Sequence, residues 1–257
     1  MSAFGEVSTL SFRLWRRHLH VFMRLWKSDA VPVFAEPFVI LTVSGIGLGQ
    51  LIDDVDGRSY LHFIGPGILG AYVMFAPTFE NSWGSYIRMA VRRIYDAIIA
   101  TPLSIEDVIT GEILWGITRA LIMGTLILAI LAVIGAVESL WALLVLPFTL
   151  LQGFLFASMA MTYTALAPSV NSFNFFYSLY VFPMFFFAGV FFPTSDLPDG
   201  VREFSWVLPL TPAVHVSRGL VTGELAWTMA WSVLGMAGAG LLFYYAALKL
   251  MRRRLIT

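Results

Sequence analysis

SLWALLVLPFTLLQGFLFASMAMTYTALAPSVNSFNFFYSLYVFPMFFFAGVFFPTS, residues 139–195, contains no Asp, Glu, Lys or Arg in 57 positions. As one helix it would run about 85 Å, nearly twice a bilayer of about 40–45 Å, so it must cross and return. The best break is Ala167-Pro168-Ser169-Val170-Asn171-Ser172, where proline and the Asn/Ser positions favour a turn. This predicts spans over Leu140–Leu166 and Phe173–Phe192. The rest of the chain agrees: it is 58% hydrophobic and 12% charged over 257 residues, with a mean hydropathy of +0.80. A soluble domain carries about 25% charged residues. The fold class expected is therefore all-α, a polytopic membrane protein. Barrel strands would alternate apolar and polar residues, which these runs do not.

Outward from that block, apolar runs predict four more spans: 31–51, interrupted by Glu36; 61–79, bent at Pro66 and Pro77; 113–137, with Arg119 inside; and 225–248. Six spans place both termini on one side. The N-terminal arm, the 80–112 loop, the C-terminal tail and Arg119 hold 13 of the 16 Lys and Arg, against Arg58, Arg202 and Arg218 opposite. Both termini are thus expected in the cytoplasm. The first span lies too far from Met1, and is too long, for a cleaved signal peptide.

Three segments are not spans. Residues 8–28 predict a helix with Phe12, Trp15, Leu19, Phe22 and Trp26 on one stripe and Arg13, Arg16, Arg17, His20, Arg24 and Lys27 on another. Such a helix lies in the cytoplasmic membrane interface, arginines among lipid headgroups, as an anchor or as a lever on the first span. In the 80–112 loop, residues 88–100 read as a helix stopped by Thr101-Pro102-Leu103, after which Ser104 and Asp107 can cap a new one. A helix–turn–helix there suits a partner's groove. Residues 193–224 are too long for a connector and too apolar for a disordered one. They predict two short helices, 201–208 and 213–220, dipping back into the outer leaflet, with Thr211-Pro212 as a helix start and an end near Gly223.

Soluble chemistry finds no foothold. Net charge is zero, which offers nothing to nucleic acid. There is no cysteine, no Gly-Lys of a P-loop beside Lys27 or Lys249, and no Gly-x-Ser-x-Gly. His18 and His20 lie about 200° apart on a helix and cannot share a metal. No catalytic, cofactor or metal residue is expected. Glu36 and Arg119 read as snorkelling residues or a structural pair, since a coupled carrier places carboxylates near the midplane. From Phe173 to Phe192 eleven of twenty residues are Phe or Tyr, enough to line a path for sugars or acyl chains. Phe173, Phe176, Tyr177, Tyr180 and Phe187 are the path candidates; lipid-facing bulk is the alternative for most rings. Gly45 with Gly49, and Gly235 with Ala239, permit close helix packing.

Taken together, the amphipathic N-terminal helix, six spans, a helical loop after span two and a re-entrant pair before span six resemble ABC-2 type exporter permeases. Pro77-Thr78-Phe79-Glu80, Ala100-Thr101-Pro102-Leu103-Ser104, Asp107-Val108, Gly111-Glu112-Ile113-Leu114-Trp115 and Pro209-Leu210-Thr211-Pro212 with Arg218-Gly219-Leu220 resemble the nodulation-type (NodJ-like) lipooligosaccharide export branch. The resemblance covers essentially the whole chain as one transmembrane domain. It implies a permease homodimer in the bacterial inner membrane, paired with two copies of a separate ATPase that binds ATP and Mg. The chain itself would bind no cofactor and catalyse nothing. Residues 88–107 would be the coupling segment, with Arg88, Arg92, Arg93, Tyr95, Thr101, Pro102, Ser104, Glu106 and Asp107 serving the ATPase and Trp15, Arg16, Arg17, Phe22 and Trp26 beside them. The cargo implied is an amphiphile with a glycan head and an acyl tail. Arg218 would meet its phosphate or carboxylate, or else pair with Glu203 or Glu224. Drug efflux by a permease of the same superfamily, and a non-transporting membrane scaffold, are the alternatives.

Overall fold

The computed structural model describes residues 7–256 apart from Asp53 and Asp56, and for residues 28–34, 46, 48, 99 and 256 the backbone alone. Among these residues the structure is all helix and turn, with one isolated bridge between Val55 and Arg58. Four helices are long and apolar enough to cross a membrane: Tyr60–Val91, Ile105–Val133, Leu140–Leu166 and Thr228–Leu255. Where the first and fifth spans are expected the structure has shorter apolar helices, Ala35–Gly45 and Ser172–Phe187.

Helix α1, Ser11–Thr42, is continuous where the sequence suggested an interface helix followed by a separate span. The helix runs through Ser28-Asp29, residue types that could start a new helix, and carries Pro32 and Pro37 in its interior. It ends in a π-helical turn, Val43–Gly47, and a 3₁₀ turn, Leu48–Gln50, so its apolar part is short. Helix α2, Tyr60–Phe79, holds Pro66 and Pro77 and runs on through π-helical turns at Glu80–Gly84 and Ile87–Val91. The chain then reverses at Arg93, whose φ of 50° is left-handed. The expected helix 88–100 is therefore divided: its first turn completes α2, and a short α3, Ile94–Ile99, follows the reversal.

Helix α4, Ile105–Val133, starts eight residues before the predicted span because Ser104 and Asp107 form a full capping box. A 3₁₀ turn, Leu140–Leu144, leads into α5, Val145–Leu166, matching the predicted limits. Helix α5 is the hub, packed against α4, α2 and the last helix. Its approach to α4 is set by glycine. A Cβ on Gly153 would lie 2.9 Å from the Ile117 backbone, and one on Gly116 would lie 2.8 Å from the Ala157 methyl. Gly45 likewise packs on Leu61, whereas a Cβ on Gly235 would meet open space within this chain, while Ala239 of the same predicted face packs on the core.

The aromatic segment is broken into α6, Ser172–Phe176, a π-helical turn at Tyr177–Val181, and α7, Phe182–Phe187. On the far side α8, Asp199–Val207, and α9, Leu210–Thr222, form the predicted helical pair. Helix α9 begins after Pro209 rather than at Thr211, whose hydroxyl instead donates to the Ser205 carbonyl. It stops at Gly223, φ 83°, against Ser139. Helix α10, Thr228–Ile256, completes the chain, longer at its basic end than the predicted span.

Candidate functional site

Two features meet where α1, α2, α4 and the aromatic segment converge: a buried network of charges and an aromatic-walled cavity beside it. The network centres on Glu112 of α4, whose side chain is 1% exposed. Arg88 donates to it through Nε at 3.1 Å and through Nη2, while Arg88 Nη1 reaches Glu80 Oε1 at 2.8 Å. Ser85 Oγ donates to Glu112 Oε2 at 2.9 Å, and His18 Nε2 of α1 lies 3.2 Å from Oε1. Asn81 Nδ2 donates to the Glu112 carbonyl, and His18 stacks on Trp115. An ionised carboxylate can be buried only with this density of partners. Tyr95 of α3 is fully buried against the same group; burial and the Glu112 charge push its hydroxyl well above the ordinary phenol range.

The cavity, ≈ 580 Å³, is lined by Glu36, Tyr72, Phe75, Ala76, Phe79, Glu80, Trp83, Arg119, Met123, Asn174, Tyr177, Ser178 and Phe182. Trp83 and Tyr177 stack at 4.8 Å between centroids, and Phe79 leans on Trp83 at 5.0 Å. Glu80 belongs to both features, since its other oxygen lies 3.9 Å from Arg119 Nε. The pairing of Arg119 is thus with Glu80 rather than Glu36, and its guanidinium sits 5.4 Å over Phe22. Glu36 and Arg119 share the cavity, and the Glu36 carboxylate interacts with the Tyr72 hydroxyl.

Among the path candidates, Tyr177 lines this cavity, its hydroxyl 3.3 Å from Ser82 Oγ. Phe173 and Phe176 do not: they are core residues packed on Tyr163, with Phe173 also against Trp83 and Tyr86. Tyr180 is half-buried and stacks on Phe176, and Phe187 is at the surface. Arg218 binds backbone: Nη2 donates to the Gly189 carbonyl at 2.7 Å and to the Phe63 carbonyl at 3.3 Å, and its guanidinium lies 4.0 Å over the Phe63 ring. Glu224 pairs instead with Arg58, which also holds Glu138. An arginine fork is suited to bridging two carbonyls in this way.

The coupling candidates divide by exposure. Arg92, Arg93, Thr101 and Pro102 are exposed and Ser104 half-exposed, forming one accessible turn around α3. Arg88, Tyr95, Glu106 and Asp107 point inward: Glu106 pairs with Arg252 at 3.2 Å, and Asp107 accepts the Ser8 backbone N–H at 2.7 Å. On α1, Trp15 Nε1 donates to Thr118 and Phe22 packs on Trp115. The predicted single stripe is therefore split, because Phe12 and Trp26 stay exposed while Ser11, Leu14 and His18 are the buried line. Arg16 and Arg17 are exposed, around a basic surface groove with Arg13, His20 and Arg24. No group of three His, Cys, Asp or Glu with metal-binding arrangement occurs among the described residues.

Comparison with known proteins agrees with this architecture. Residues 9–222 match the family model described as ABC-2 type transporter. The chain is 32% identical to Nodulation protein J of Rhizobium meliloti over 95% of its length and 93% of that protein. It is also 32% identical to Nodulation protein J of Bradyrhizobium diazoefficiens over the same shares, and 25% identical to the inner membrane transport permease YadH of Escherichia coli over 82% of this chain and 81% of YadH. A helical, multi-pass chain matched from its first helix to the end of α9 belongs to the ABC-2 type transporter family, as its membrane component and not as a catalytic subunit.

Proposed function

We propose that this chain is the permease subunit of an ATP-driven exporter that moves an amphiphile, of the lipooligosaccharide or glycolipid kind, outward across the bacterial inner membrane. The cavity carries this reading: aromatic walls to receive a tail or a sugar face, and charged and amide groups at Glu36, Glu80, Arg119 and Asn174 to receive a polar head. Six crossings with both termini in the cytoplasm follow from the distribution of Lys and Arg, the two shorter apolar helices supplying the first and fifth. Two copies pair with each other and with two copies of an ATPase that holds ATP and Mg. The turn around α3, with Arg92, Arg93, Thr101 and Pro102 outward, is the surface that ATPase grips, and the α1 arginines rest on lipid headgroups.

Purification of the tagged chain from its native membrane in mild detergent tests the assembly. A P-loop ATPase in equal amount, whose hydrolysis rises with acylated glycans, is the expected result. A homodimer without an ATPase would overturn the exporter reading, and stimulation by hydrophobic drugs but not by acylated glycans would move the cargo to drug efflux.

A further inference from the structure

We infer that the cavity selects amphiphiles whose head carries a protonated amine or quaternary ammonium, with Glu36 as the counter-charge. The inference rests on the reading of the cavity as the cargo site and narrows its chemistry. Of the three charged residues in the lining, two are committed to each other. Glu80 is held by Arg88 at 2.8 Å and by Arg119 at 3.9 Å, and Arg119 also covers the Phe22 ring. Glu36 is different. Among the described residues no Lys, Arg or His lies within ion-pair distance of it, and the group it meets is the neutral hydroxyl of Tyr72. The lining therefore has one acid in excess, at Glu36, facing a space whose remaining walls are largely aromatic.

Carboxylate plus aromatic faces is the chemistry that recognises organic cations. The ring quadrupole attracts a cation within about 6 Å of its centroid, and most strongly at tryptophan. Tyr72, Phe75, Phe79, Trp83, Tyr177 and Phe182 offer such rings around the cavity. An anionic head would meet the opposite conditions: repulsion from Glu36, and an Arg119 already engaged. A neutral head would leave Glu36, which is exposed at the cavity edge, without a counter-charge and would forgo the ion pair that a cation forms there.

The test uses the purified full-length chain in maltoside micelles and three dansyl probes on the same eight-carbon tail: a trimethylammonium, a sulfonate and a glucoside. Binding is read by energy transfer from tryptophan, with unlabelled competitor to define the saturable part. The trimethylammonium probe is expected to bind at least about tenfold more tightly than the sulfonate. Glu36→Gln is expected to remove about tenfold of its affinity, Glu36→Asp to retain most of it, and neither to change the glucoside. Should Glu36→Gln fail to fold, the ranking of the three probes on the wild-type chain decides alone. Tightest binding of the glucoside, indifferent to Glu36→Gln, would overturn the cationic head while leaving the cavity as the cargo site. Tightest binding of the sulfonate would overturn it in favour of Arg119. No saturable binding of any probe would overturn both this inference and the cavity as cargo site, without touching the ATPase partnership, which co-purification tests separately.

Discussion

At the scale of single residues, the buried charges are the most consequential positions. Removing one partner of a buried ion pair leaves the other uncompensated, a loss of about 3–5 kcal/mol. Glu112→Gln, which removes the carboxylate beside His18 and one of the two that Arg88 bridges while leaving Arg88 on Glu80, is expected to lower the stability of the detergent-solubilised chain by up to that amount, measured by thermal unfolding. The opposite sign is expected at Gln152, buried in α5 with no hydrogen-bond partner for either amide atom among the described residues. Gln152→Leu should raise stability by about 1–3 kcal/mol, because the desolvated amide is replaced by an apolar group of similar size. Neither the network nor this orphan was legible in the sequence. Glu80, Arg88 and Glu112 fall in the predicted 80–112 loop, and only the helical continuation of α2 through Ile87–Val91, packed beside α4, brings the three together. Arg218 donates to backbone carbonyls, contacts that no pattern of acidic residues could reveal.

At the scale of helices, local signals were read well and tertiary ones were not. The Ser104–Asp107 box is a spacing of three, and it stands as predicted; it also displaced the start of α4 outward from the first apolar residue. Asp107→Ala removes the N3 half of the capping box and should cost about 0.3–1.5 kcal/mol, and should release the Ser8 N–H that the same carboxylate accepts, seen as earlier proteolysis ahead of α1. The α4–α5 contact depends on absent side chains. Gly153→Val should separate the helices, because even a methyl would press on the Ile117 backbone, and the measurement is loss of the monodisperse species in gel filtration. The limits of Leu140–Leu166 were legible because Pro168 and the Asn/Ser positions mark the break locally. The continuity of α1 was not, since a proline at 32 and a charge at 29 suggest an interruption that packing against α4 overrides.

At the scale of the whole molecule, the accessible turn around α3 and the cavity are separate surfaces joined by a chain of contacts. Arg92→Glu with Arg93→Glu should reduce recovery of a co-purified ATPase about tenfold or more while leaving the melting temperature of the isolated chain unchanged, since both side chains are exposed. Tyr95 is not a clean probe of that docking, because its buried ring beside Glu112 reports on folding as well as on any partner. Tyr95 is buried beside Glu112 and feels its charge, Glu112 and Arg88 and then Arg88 and Glu80 are directly hydrogen-bonded, and Glu80 is itself part of the cavity wall. Linkage attaches a symmetry to that arrangement. Whatever factor a molecule in the cavity imposes on affinity at the α3 turn by biasing Arg88, a protein seated on the turn must impose the same factor on the cavity, so loading and docking can be measured from either end and must give one number.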